Sequence, residues 1–493
     1  MMDYKDEFRY ACKEFLSGFA INALRSYGRE IGVSNPTKDK KKNVLIEEIV
    51  GVLSGVVAPT VPSVRGAPVK NDFVDPKLKE GVEQLQAKYL KFKEESFEER
   101  LRKMREKPNV FQVFDPVAEE MMELGLTKTY TGQLETIDGV SVLLPLDCSD
   151  EQLKIIVAVE MIRAHDLREG DVITCYAENH QNVLVAVKIV TVNDEPLECL
   201  RRVKFDTHNA CYPYQRIRFC EENSRDSVLA KLLEWMIVVG KGQRGLVIAP
   251  PKSGKSHLLM ETARLVKHLN KEMYVFTLLT EQAPEAISYY CENVGGDGVV
   301  YTTYEDTPER QMFVAEFILK RAKRYAECGK HVLLLVDSLT ALARAFNETD
   351  ASSGGKVLAG GLESKTIHYL KRYFGTARCL DGNGSLTLLG ALSVDTGNPA
   401  DDLLRSELSA VANLEIVLDE ELAKRRIYPA IDILKTQGRC STYVTGGQED
   451  AVNELLRGAY LSTFSVEDLH QLLNSTNDFI EVGKKAKQQL GKN

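Results

Sequence analysis

Lys255 and Ser256, directly after Gly254, are the residues of this chain whose types and spacing best suit phosphate chemistry. They lie in GLVIAPPKSGKSHLLMETARLV, residues 245–266, where an apolar run from Gly245 to Ala249 leads through a turn into a helical pattern opening at Ser256. Such a strand–turn–helix curls backbone N–H groups around phosphate oxygens, lays a lysine on the β and γ phosphates and offers a hydroxyl to Mg2+. Lys255 and Ser256 suit the last two tasks, and Lys252, Ser253, Gly254 and His257 complete the cradle. Ala249 stands where the pattern usually opens with glycine. A phosphate loop also needs an acid that orders the metal, and HVLLLVD, 331–337, ends an apolar run in Asp337. The expected ligands are ATP and Mg2+, with Ser256 and Asp337 at the metal.

No glutamate follows Asp337, so the group that polarises the attacking water must come from elsewhere. MYVFTLLTE, the apolar run after the loop's helix, ends in Glu281. In RecA-like sheets that strand is expected to neighbour the phosphate-loop strand, bringing Glu281 beside the γ-phosphate, where a carboxylate can orient water for in-line attack. A surface position at a strand end is the plainer alternative.

Holding these groups together requires an α/β core. From residue 198 to 493, apolar strands alternate with amphipathic helices, which predicts a parallel sheet of βαβ units. Before it, residues 128–197 read as short strands, TYTGQLETI, VSVLLP, IIVAVEMI, DVITCYA and VLVAVKIV, broken by turn signals. That pattern suits a small closed barrel of OB-like kind. Residues 54–127 read as a Pro-rich linker and a charged helical segment whose charges form a solvated face. Residues 1–53 read as a small helical subdomain, with helices over Glu7–Ser26 and Lys40–Leu53. Between them Lys38, Lys40, Lys41 and Lys42 either touch phosphate or form a solvated loop.

At 493 residues, several domains are expected. The net charge of −8 argues against a nucleic-acid coat over the whole surface but leaves a local basic groove open. The ten cysteines include no CxxC pair, which suits reduced thiols in a cytosol rather than zinc. No run approaches the ~18 apolar residues of a membrane span, so a soluble, cytoplasmic protein without membrane contact is expected.

Several longer runs carry a family resemblance. GKGQRGLVIAPPKSGKS, DSLTALARAFN, GGKVLAGGLESKTIHYLKRYFGTAR, GSLTLLGALSVDTG and KRRIYPAIDILKTQGR resemble, in order and spacing, segments of the bacterial transcription termination factor Rho family. The likeness is dense over 200–460 and looser over the barrel and the first helices. It implies a homohexameric ring that hydrolyses ATP between subunits and pulls single-stranded nascent RNA through its centre, acting on the RNA polymerase elongation complex. It also implies residue roles. Lys252, Lys255 and Ser256 fall on the nucleotide cradle, Glu281 on the catalytic carboxylate and Asp337 on the Mg2+ carboxylate. Arg439 falls on an arginine that reaches the neighbouring subunit's γ-phosphate, and Arg426 on another interface arginine. Tyr428 falls on the aromatic against adenine, and Lys356 on a pore-loop lysine that contacts RNA.

Departures gather on the RNA side. Where the family stacks bases on aromatics, this chain reads Gly139-Val140-Ser141-Val142. Residues 128–195 hold five Lys or Arg against twelve Asp or Glu, the wrong balance for attracting phosphate. Pro399 replaces a pore lysine, and Gln282 and Ala341 replace arginines near the nucleotide, while Lys371 and Arg372 remain on a nearby helix. Two alternatives follow: a ring ATPase derived from this family with a different or non-RNA partner, and an interaction protein that uses ATP only to hold its ring together.

Overall fold

In the computed structural model the chain forms two compact units, Met1–Asp115 and Pro116–Asn493. The residues described are 12, 13, 15–31, 33, 41–53, 76–79, 81–84, 128–148, 154–180, 183–200, 202, 204–221, 227–295, 298–350, 357–381, 384–439, 441–445, 453, 454, 456–458, 465–476 and 479–490. Lys38, Lys40, Lys356 and most of the expected 54–127 segment lie outside them.

The first unit contains α1 (Ile21–Glu30) and α2 (Lys42–Leu53). The helix expected over Glu7–Ser26 is interrupted: Gly18 and Phe19 turn, and Ala20 is extended at φ −68°, ψ 146° before α1. Leu24 and Tyr27 from α1 meet Leu45, Ile49 and Val50 from α2. Leu78 and Val82, beyond the expected boundary at residue 53, pack into the same core. Lys42 donates to the Ser17 carbonyl at 2.6 Å, so that lysine is held within the bundle.

The second unit opens with the barrel: β1 (Thr129–Ile137), β2 (Val140–Leu144), β3 (Ile155–Ile156), α3 (Val159–Ala164), β4 (Val172–His180), β5 (Val183–Val192) and β6 (Glu195–Pro196). The sheet order is β3-β2-β1-β4-β5-β6, and parallel pairing of β3 with β5 closes it. The run IIVAVEMI is not one strand. Only its first two residues pair, and α3 follows, turning Met161 and Ile162 onto the barrel core. A short apolar run does not distinguish a strand from a helical turn.

The core sheet comprises β7 (Ala210–Cys211), β8 (Arg244–Ala249), β9 (Met273–Gln282), β10 (Val299–Thr303), β11 (His331–Asp337), β12 (Arg378–Leu380), β13 (Ser385–Ser393), β14 (Leu414–Val417) and β15 (Gln437–Gly438). Its order is β10-β9-β11-β13-β8-β14-β15, with β12 and β7 on a side branch from β13. Leucines and valines along β8, β11 and β13 are buried on both faces, as a parallel sheet covered by helices requires. The covering helices include α4 (Lys255–Leu269), α5 (Pro284–Val294), α6 (Pro308–Glu327), α7 (Leu339–Asp350), α8 (Ser364–Phe374), α9 (Pro399–Ser409) and α10 (Glu420–Lys424). One expectation is corrected here. β9 does not neighbour the phosphate-loop strand β8; β11 and β13 lie between them.

Helix α6 docks the barrel on the core. Arg321, 2% exposed, donates to Gln133 Oε1 at 2.7 Å and to the Leu146 carbonyl at 2.6 Å. Its guanidinium lies over the rings of Phe317 and Phe276, 5.1 and 5.7 Å from their centroids. Burial pushes its pKa down to about 10, which leaves it charged at neutral pH. Lys320 pairs with Glu135 at 2.6 Å and Glu169 at 2.9 Å, Arg202 pairs with Asp171, and Lys330 with Glu195 at 3.5 Å and Asp194 at 4.0 Å. Five of the barrel's acids are thus engaged by cations outside it, so its composition overstates the negative charge of its outer face. Arg321→Ala is expected to destabilise the protein by roughly 3–5 kcal/mol, because it leaves a cavity, an unmatched buried acceptor on Gln133 and a part-buried one on Leu146. Urea unfolding should show the drop; an unchanged midpoint would remove Arg321 from this role.

Candidate nucleotide site

The phosphate loop leaves β8 at Ala249 and enters α4 at Lys255, one residue earlier than expected. Two residues make the turn with positive φ. Gly254 caps the helix at φ +93°, a conformation open to glycine, while Lys252 accepts φ +61°. Ser253 is buried, and its hydroxyl donates to the Pro250 carbonyl at 2.7 Å, bracing the loop from behind. Above the turn is a cavity of about 410 Å³ lined by Pro250, Pro251, Lys252, Gly254, Lys255, Ser256, His257 and Ser393. Ser393, from the tip of β13, was not singled out in the sequence, and neither prolines nor a lone serine carry a spacing signal.

Lys255 Nζ stands 3.1 Å from Asp337 Oδ1. Asp337 is only 2% exposed, and this oxygen accepts no hydrogen bond. The lysine is within pairing distance but off the line of a hydrogen bond, so the contact is one of charge alone. Asp337 lies opposite Leu279 in the β11–β9 register, two residues short of Glu281. The two acidic strand tips therefore adjoin, although neither is next to β8. Glu281 is half-buried with φ +52°, and its N–H points to Thr302 Oγ1 at 3.4 Å. A bulky residue in left-handed backbone costs of order 1–3 kcal/mol and is commonest where function constrains the chain.

Two threonines that sequence reasoning passed over tie these tips together. Thr280 Oγ1 accepts from Ser338 N–H at 2.9 Å, and Thr340 Oγ1 accepts from Ser393 N–H at 2.9 Å. Gln282 donates to the Thr280 carbonyl at 3.1 Å, and Ala341 is buried.

The Tyr428 ring stands beside the phosphate loop: a Cβ added at Gly254 would fall 3.3 Å from its Cε1. Tyr428 is 52% exposed, and Arg426 nearby is exposed at φ +58°. Arg439 is placed differently. Its N–H bonds to Asn413 O at 2.9 Å, just beyond the Leu414–Gly438 pair, and Leu414 registers with Gly245. It therefore lies at the end of the sheet away from its own loop, roughly 13 Å down the strand from Ala249 at ~3.3 Å per residue. No acidic partner to either arginine is recorded among the described residues.

Helix α7, starting two residues after Asp337, also supports two loops. Asn347 donates to the Gly361 carbonyl at 3.2 Å and accepts from Glu363 N–H at 2.8 Å. Arg344 reaches Asp401 Oδ2 at 3.4 Å, and Asp401, 1% exposed, accepts from Thr396 Oγ1 at 2.6 Å. Pro399 is the first residue of α9, capped by Asn398, whose side chain accepts from Ala400 N–H. Lys371 is paired with Glu407, and Arg372 lies 3.8 Å from Glu316. On the barrel, Val142 is buried against the core and only Val140 is exposed at the expected stacking strand. A different aromatic, half-buried Tyr130 on β1, has Lys128 Nζ 4.9 Å from its ring centroid.

Residues 230–437 match the nucleotide-binding domain model of the ATP synthase alpha/beta family. Transcription termination factor Rho of Bacillus subtilis (strain 168) is 37% identical over 314 residues, covering 62% of this chain and 73% of that protein. The protein of that name from Cereibacter sphaeroides is 34% identical over 348 residues, covering 68% and 80%. The one from Neisseria gonorrhoeae is 32% identical over 364 residues, covering 72% and 85%.

Proposed function

Since the chain belongs to the transcription termination factor Rho family, we propose that it is an RNA translocase that ends transcription, a homohexameric ring drawing single-stranded nascent RNA away from RNA polymerase at the expense of ATP. A termination factor built on an ATP-hydrolysing domain follows from family membership and the nucleotide-binding domain match. The observation that carries the mechanism is the Lys255–Asp337 contact beneath the phosphate loop.

Lys255 leaves Asp337 for the β and γ phosphates when ATP enters, and backbone N–H groups of residues 252–256 surround the oxygens. Asp337 Oδ1, buried and without a donor, and the Ser256 hydroxyl would then hold Mg2+, which hard oxygens of this kind suit. Bound with the nucleotide, Mg2+ supplies positive charge against the developing phosphate anion. Among the described residues no group of three or more His, Cys, Asp or Glu could hold a metal without such phosphates. Glu281 orients the attacking water and takes up its proton. Tyr428 offers a ring face to adenine. Lys252 and His257 line the outer cradle, and Arg426 and Arg439 serve the neighbouring subunit's site. Among the described residues no helix is long and apolar enough to cross a membrane.

Val140 in place of an aromatic and Pro399 in place of a pore lysine favour, as the second reading, a ring ATPase moving another partner. Steady-state ATPase rates with and without poly(C) RNA separate the two. Stimulation by RNA is expected; turnover indifferent to RNA would replace the first reading with the second.

A further inference from the structure

We infer that Cys211 and Cys379 form a redox-responsive pair that closes to a disulfide by exchange with a low-molecular-weight disulfide. They are direct partners in the antiparallel pairing of β7 with β12. Such partners have Cα atoms about 4.5–5.5 Å apart, within the 4.4–6.8 Å that a disulfide bridges. The pair is asymmetric: Cys211 is exposed to an oxidant, and Cys379 is 5% exposed behind it. Neither belongs to the nucleotide site.

The surroundings hold the register. Asp381 N–H donates to the Asn209 carbonyl at 3.0 Å, and His208 Nδ1 lies 3.0 Å from the Asp381 carbonyl. Arg378 covers the ring of Phe205 at 4.8 Å, and Cys379 pairs on its other side with Ser385 of β13. A Cβ at Gly242 would fall 2.4 Å from Cys379 N, so the β12 backbone has little room to shift. Closure would staple the segment that follows the barrel to the ATPase sheet.

The exchange balances without another reagent. The Cys211 thiolate attacks one sulfur of the small disulfide and expels one thiolate, forming a mixed disulfide. Cys379, as its thiolate, then attacks Cys211 Sγ, forming the protein disulfide and expelling the second thiolate. Two electrons pass to the small disulfide, and the two thiol protons end on its two released halves. Burial holds the Cys379 thiol above its ordinary range, so its attack on the mixed disulfide quickens as pH rises.

The test treats the full-length protein with oxidised glutathione, blocks remaining thiols with N-ethylmaleimide and maps peptides by mass spectrometry. A peptide cross-linked through Cys211 and Cys379 is expected, released by dithiothreitol, together with a rise in melting temperature of a few degrees. Cys379→Ser should instead stop at a glutathione adduct on Cys211, and Cys211→Ser should give neither product at these positions. Cys199, also exposed, reports simple accessibility and should carry glutathione without cross-linking. The inference is overturned if wild type stops at the Cys211 adduct, if both thiols take the blocking reagent unchanged, or if Cys211 bridges to another chain. All of these readouts are independent of ATP turnover.

Discussion

Arg439→Ala should bind ATP and assemble as wild type does yet hydrolyse it about 10³–10⁵-fold more slowly, the usual worth of an arginine donated to a phosphoryl-transfer site. The argument is positional. Arg439 is exposed, and it lies at the end of β14 remote from its own phosphate loop. Its guanidinium therefore suits a loop on another copy. Mixing provides the sharper measurement. Arg439→Ala retains a sound phosphate loop and Lys255→Ala retains the arginine, so mixed rings contain some boundaries with both. Recovery of ATPase activity on mixing two nearly inactive preparations is expected. If activity merely averages, Arg439 acts within its own chain or only supports the β14–β15 edge.

Glu281→Gln should keep nucleotide affinity and lose turnover by roughly 10²–10⁴-fold, the range for a positioned general base. Lys255→Ala should fail one step earlier, losing ATP itself, because in the proposed mechanism its ammonium meets the phosphates in ground and transition state alike. Binding of a fluorescent ATP analogue, followed by single-turnover hydrolysis, resolves the two. The side chain of Gln has nearly the same shape as that of Glu, so the left-handed turn at 281 is kept and only the proton acceptor is lost. Normal hydrolysis by Glu281→Gln would assign the water-activating role elsewhere, and a fall in affinity equal to the fall in rate would mark Glu281 as part of the cradle.

The legibility of these groups in the sequence was uneven. The phosphate loop was plain because its chemistry is local: consecutive backbone donors, one lysine and one hydroxyl at fixed offsets. Asp337 was plain because an apolar run ending in an acid marks the tip of a buried strand. Glu281 was expected beside the phosphate-loop strand, yet β9 is reached from β8 only across β13 and β11. It still meets Asp337, because β9 and β11 adjoin. Thr280 and Thr340 were missed: a threonine in a strand or helix gives no sign that its hydroxyl will clasp the next tip. The barrel's acidity was misleading for a similar reason. Glu135 and Asp171 read as surface charge, yet both are buried against cations from beyond the barrel.

What the sequence by itself determined, then, is everything carried by short-range spacing: the strand–loop–helix that cradles phosphate, the carboxylate tips, the alternation that builds a barrel and then a parallel sheet. Tertiary structure alone decided which strand tips adjoin, that Arg439 stands away from its own loop, that α6 holds the barrel through Arg321, and that Cys211 faces Cys379. The physical reason is range. Backbone geometry and periodicity act over a few residues, whereas charge pairing, burial and strand order depend on groups far apart in sequence, such as Gln133 and Arg321, 188 positions apart, brought together only when the core closes.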